Sequence, residues 1–159
     1  MRFSIISLIF LLLTLPSVQA QTSALQLLET RTDARGWEAV GRLDIEGKGF
    51  CTGALIAPDL VLTAAHCMYD KADEAPIDPS RIQFLAGLRG GNPEAIRAVR
   101  SAVVHPSYAH IGRAAVDLVQ YDVALLQLTH PIQYSHVRPF EVSKLLRRGT
   151  QVAIVSYAQ

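Results

Sequence analysis

The densest chemistry in the sequence is Leu62-Thr63-Ala64-Ala65-His66-Cys67, with Cys51 upstream as the only other cysteine. Two cysteines in an exported chain should pair. Closing a loop of about fifteen residues is worth about 3 kcal/mol in the chain-entropy account. A bridge between Cys51 and Cys67 would pin His66 against the neighbouring strand. A fixed imidazole with an ordinary pKa of about 6.5 is a ready general base at neutral pH. The same residues also suit a structural histidine beside a structural disulfide, and composition alone leaves both readings open. They make a poor zinc site, because a single histidine beside two cysteines that oxidise falls short of three ligands. No metal or cofactor is expected.

The elements that would hold these residues are short. Gly41, Leu43 and Ile45 alternate with Arg42, Asp44 and Glu46, as in a half-buried strand. Gly47-Lys48-Gly49 turns the chain into a second strand, Phe50 to Ile56, and Ala57-Pro58-Asp59 turns it into Leu60 to Thr63. Met68 to Ser80 reads as a solvated acidic loop. Further strands are expected at 81–87, 96–104, 123–128 and 152–155, with a loop containing at most a helical turn at 109–120. Short strands separated by Gly/Pro turns, without a long amphipathic helix, predict an all-β barrel or sandwich.

Composition narrows the function classes. Of 159 residues, 50% are hydrophobic and 18% charged, enough apolar content to bury a core. Arg2, the apolar run Ile5 to Leu15, Pro16 and Val18-Gln19-Ala20 read as a signal peptide covering 1–20. Its apolar run is about half the ~20 residues that cross a bilayer. Cleavage after Ala20 takes the 159 residues to 139 and, with Arg2 gone, the 15 basic residues to 14, equal to the 14 acidic ones. Near-zero net charge offers no footprint for nucleic acid or an anionic membrane. The expected location is secreted or periplasmic. Residues 21–36 are polar and weakly patterned, and read as a leader or pro-segment before a domain at 37–159.

The full string from Phe50 to Cys67 (FCTGALIAPDLVLTAAHC) closely resembles the catalytic-histidine segment of trypsin/chymotrypsin-family serine peptidases. Tyr121-Asp122-Val123-Ala124-Leu125-Leu126-Gln127-Leu128 resembles that family's aspartate segment, and Val104-His105-Pro106-Ser107-Tyr108 its V-H-P-x-Y connection. Gly36-Trp37 with Ala39 to Leu43 is similar to its first strand, particularly in secreted bacterial members. The resemblance implies that His66 is the general base and that Asp122 fixes its tautomer and stabilises the imidazolium. It makes Cys51–Cys67 the family's bridge beside the histidine, and gives His105 a structural role. Asp117 is the alternative acid, but lacks an apolar run directly behind it. Trp37 is expected to pack, and His110, His130 and His136 to lie at the surface.

The likeness runs from about Gly36 to Ser156 and covers the family's first half only. Ser135, Ser143 and Ser156 stand in Tyr-Ser-His, Val-Ser-Lys and Val-Ser-Tyr, unlike the G-D-S-G loop of the nucleophile, and no G-x-S-x-G occurs. Family members often activate through a new Ile- or Val-started terminus; none is found between Gln21 and Trp37. The expected architecture is the first antiparallel β-barrel of the two-barrel trypsin-like fold, with the second barrel missing and Val152 to Val155 as the first barrel's closing strand. The implied activity is a serine endopeptidase on protein or peptide substrates, represented by its His/Asp half and inactive alone. Its expected partner is a second barrel or chain carrying the serine. The alternative is a secreted non-catalytic binding module derived from such a barrel.

Overall fold

The computed structural model describes residues 26–109, 116–143 and 147–157. The expected signal peptide (1–20), the start of the leader, and His110 lie outside these residues.

Among the described residues the chain forms six strands: β1 Val40–Ile45, β2 Gly49–Ala57, β3 Leu60–Thr63, β4 Ile82–Ala86, β5 Ala95–Val104 and β6 Ala124–Leu128. They close into a barrel in the order β1-β2-β3-β6-β5-β4, every neighbouring pair antiparallel. Three short 3-10 turns, Ala65–Met68, Pro79–Arg81 and Val116–Tyr121, complete the regular structure. No described helix is long and apolar enough to cross a membrane.

The period-two pattern does its work here. On β1 the inward residues Leu43 and Ile45 are buried, while Arg42 and Asp44 stay partly exposed. Leu43, Leu55, Val61, Ile82, Phe84 and Leu126 are fully buried and fill the barrel. Burying each such side chain contributes roughly 1.5–3 kcal/mol. The β1–β2 hairpin turns at Gly47 (φ 69°), a conformation glycine adopts without steric cost. Gly41 serves packing instead: a Cβ there would meet the Phe84 ring and come within 2.7 Å of the Leu85 carbonyl oxygen. Its bare Cα lets the largest core ring lie against β1.

Two expectations need correction. The strand at 152–155 does not form; Val152 is 70% and Ile154 89% exposed. The β1–β4 ladder closes the barrel, so each strand already has two partners and no free edge remains for a seventh. The segment is fastened to the barrel by a side chain. The Tyr157 backbone N–H donates to Thr52 Oγ1 (2.9 Å), and its hydroxyl accepts from Arg89 (2.6 Å).

The loop from Met68 to Ser80 is only partly solvated. Asp73 and Glu74 are exposed, but Asp70 is buried and ion-paired with Lys48 of the β1–β2 turn. That hydrogen bond, followed by one from the Ala72 N–H, holds the Asp70 carboxyl below the usual carboxylate range. The loop is cross-tied by Asp70 N–H to the Ala75 carbonyl (2.9 Å) and Ile77 N–H to the Met68 carbonyl (2.8 Å). Met68, fully apolar and buried, pulls the start of the loop inward. Trp37 packs against Phe140 with ring centroids 6.0 Å apart, as expected.

Candidate active site

Strands β3 and β6 bring the two candidate residues together. Their register pairs Thr63, the last residue of β3, with Ala124, the first of β6. His66 lies three residues beyond Thr63 and Asp122 two before Ala124, so both emerge from the same end of one ladder. His66 sits on the 3-10 turn Ala65–Met68, begun by an extended Ala64. Ala65, Cys67 and Met68 of that turn are buried, leaving His66 as the side chain turned outward. The disulfide from Cys67 to Cys51 on β2 anchors the turn from beneath. Thr63 adds a second tie, its hydroxyl donating to the Thr52 carbonyl at 2.8 Å.

Asp122 holds the histidine at two points. Its Oδ2 lies 2.7 Å from His66 Nδ1, and its Oδ1 accepts the His66 backbone N–H at 2.8 Å. The ring contact places the proton on Nδ1 and leaves the Nε2 lone pair free to accept one. The imidazole is 53% exposed and the carboxylate 25% exposed, so the ring meets solvent while the carboxylate beside it is largely shielded. Partial burial pushes the Asp122 carboxyl up, but the bonds from the His66 ring and the backbone of His66 and Ala65 outweigh it. The net position is below the ordinary carboxylate range, which keeps the group ionised at neutral pH.

The V-H-P-x-Y connection packs beside this pair. His105 stacks on Tyr121, the residue before Asp122, at 5.0 Å, and its backbone N–H donates to the Val123 carbonyl at 2.9 Å. Tyr108 is raised in pKa by burial and then by the Asp122 charge, a sign of how near the phenol stands. These contacts match the structural role expected for His105. The Asp117 side chain lies outside the described ones. His130 and His136 are at the surface, but His136 Nε2 is 3.1 Å from Glu94 Oε2, a partner 42 positions away that sequence reading did not find. The backbone donors to Asp122 were equally invisible in the sequence, since residue types carry no record of where an N–H will point.

Both sulfurs are consumed in the Cys51–Cys67 bond, so neither is available to a metal in this oxidised state. What the arrangement can do is accept a proton at Nε2 and stabilise the resulting imidazolium with a fixed negative charge.

A closed antiparallel barrel with a carboxylate-clamped histidine at one ladder end is the architecture of a serine-peptidase barrel. The chain belongs to the trypsin family, whose family model matches residues 29–157. Over 100 residues it is 35% identical to the modular serine protease of Drosophila melanogaster, a match covering 58% of this chain and 15% of that protein. A solved structure of kallikrein-related peptidase 10 in complex with Zn2+ is similar at 24% identity and a TM-score of 0.49, over 71% of this chain and 46% of that one. The chain therefore spans less than half the length of either protein.

Proposed function

We propose that this chain supplies the general base, His66, and its orienting acid, Asp122, to a serine endopeptidase exported from the cell. The single observation that carries this reading is the double hold of one Asp122 carboxylate on the ring and the backbone of His66.

In the complete enzyme His66 Nε2 takes the proton of a serine hydroxyl as that oxygen attacks a peptide carbonyl. The imidazolium then passes the proton to the leaving amine. Water releases the acyl group by the same relay in reverse. Throughout, Asp122 keeps the imidazole in register and balances its positive charge. The serine, the oxyanion-hole donors and the specificity pocket come from a second barrel or chain, so residues 1–159 do not turn over peptide alone.

The test is peptide hydrolysis by residues 21–159 alone and after addition of a trypsin-family second barrel bearing a G-D-S-G loop. The expected result is no turnover alone and turnover on addition, lost on His66→Ala by at least about 10³-fold. Turnover by residues 21–159 alone, abolished by His66→Ala, would refute the assignment of the serine to another chain. Association without any turnover would point instead to a non-catalytic binding module.

A further inference from the structure

We propose that Tyr69 and Tyr108 are positioning residues that close over the Asp122 carboxylate and shield its contact with the His66 ring from water. The placement follows from strand order. β6 lies between β3 and β5 in the barrel, and Ala124 at its start pairs with Thr63 on one side and Val104 on the other. Three chain segments therefore leave the barrel at one level. Thr63 leads into the His66 turn and on to Tyr69, and Val104 leads into His105 and Tyr108. Asp122 emerges between them, two residues before Ala124. The Tyr69 and Tyr108 rings meet, with centroids 5.9 Å apart and planes tilted by 38°, so the two flanking segments are joined around the aspartate.

Both tyrosines are fixed at their main chain. The Tyr69 N–H donates to the His66 carbonyl at 3.3 Å, and the Tyr108 N–H to the His105 carbonyl at 2.9 Å. His105 in turn holds both neighbours of Asp122, stacking on Tyr121 and donating to the Val123 carbonyl. Both tyrosines are half-buried and pack against the core cluster. Burial, then the Asp122 charge, then Tyr69 push the Tyr108 phenol up, which puts the three side chains in one another's field. A carboxylate attracts an imidazolium several-fold more strongly near a protein surface than in bulk water. Water admitted beside Asp122 would screen that attraction and compete for the oxygens that hold His66. The catalytic weight of the tyrosine pair rests on the function proposed above; the shielding itself does not.

The experiment follows the His66 Nδ1–H of the full chain by NMR and measures its exchange with water, with no serine-bearing partner present. Tyr108→Ala and Tyr69→Ala should each speed that exchange at least about tenfold, since each removes one half of the same cover. Tyr108→Phe, which keeps the ring, should restore the slow exchange. The Leu126 amide in β6 reports on the barrel and should exchange as in wild type; Tyr69→Ala carries the test if Tyr108→Ala fails to fold. Where a second barrel gives turnover, Tyr108→Ala should lower kcat about tenfold or more with KM little changed. Unchanged Nδ1–H exchange in both alanine variants would overturn the proposal, as would exchange in Tyr108→Phe as fast as in Tyr108→Ala. A raised KM at constant kcat would overturn it too, by making Tyr108 a substrate contact. Absence of turnover in the wild type bears on the proposed function alone, because the exchange measurement needs no serine.

Discussion

Asp122 grips His66 by both its ring and its main chain: Oδ2 stands 2.7 Å from Nδ1 and Oδ1 2.8 Å from the backbone nitrogen. One carboxylate thereby sets both where the turn sits and which ring nitrogen carries the proton. An amide in its place could satisfy one contact as acceptor but would favour the wrong tautomer through its NH2 group.

Asp122→Asn should therefore lower kcat by about 10⁴-fold in any preparation that includes the serine, with little change in KM. Steady-state hydrolysis of a peptide amide checks this. A loss under about tenfold would mean that the carboxylate does not act through the imidazole.

The acid dependence of folding follows from the aspartates lowered in the folded chain, Asp70 and Asp122 beside Asp33 and Asp78. All four carboxyls sit below their ordinary range in the folded chain, Asp70 chiefly through the hydrogen bond from Lys48. The unfolded chain then binds more protons than the folded one in the acid range. The contribution is present in full above the unfolded carboxylate value of about 4 and fades as pH falls through the folded values. Thermal melts between pH 7 and pH 2 should show Tm falling below about pH 4. The gap between wild type and Asp70→Asn should shrink over the same range. A gap that stays constant would show that Asp70 contributes nothing as an anion.

Removing the disulfide should destabilise the barrel. The loop closed by Cys51 and Cys67 is about fifteen residues, so the double Ala variant should lose about 3 kcal/mol, or roughly 10 °C in Tm. Differential scanning calorimetry on oxidised protein measures this. An unchanged Tm would mean that the strand ladders alone restrain the His66 turn.

Gly41→Val tests the packing of the barrel's interior. Its new side chain would run into the Phe84 ring and the Leu85 carbonyl, both held by the β4 ladder. The expected cost is about 1–3 kcal/mol, or more if the barrel cannot relax. Gly91→Ala is the contrast: it has open space around it, and only its positive φ of 80° is unfavourable, at about 1 kcal/mol. Urea denaturation of the two variants should place Gly41→Val as the less stable.

Much of this was legible from residue order alone. Alternation along 40–45 and 82–86 placed strands whose buried face is now Leu43, Ile45, Ile82 and Phe84, because a period of two needs no long-range information. The Leu62-to-Cys67 string and the acid opening 121–128 marked His66 and Asp122, and local composition set Gly47 at a hairpin turn. Val152 to Val155 misled for the same reason: its apolar β-branched pattern is local, whereas the lack of an open ladder is a property of the closed barrel. Asp70 misled likewise, since an acid among acids looks solvated until Lys48 folds back from a turn 22 positions away.

Tertiary structure alone decided the site's geometry. The sequence by itself determined which side chains were available and that Cys51 and Cys67 were the only sulfurs to pair. The pairing of Thr63 with Ala124 is what carries His66 and Asp122 across 56 residues to within 2.7 Å. Strand register is set by the whole barrel burying one face of every strand at once. A slip of one residue would turn the core outward, and the histidine would lose its carboxylate.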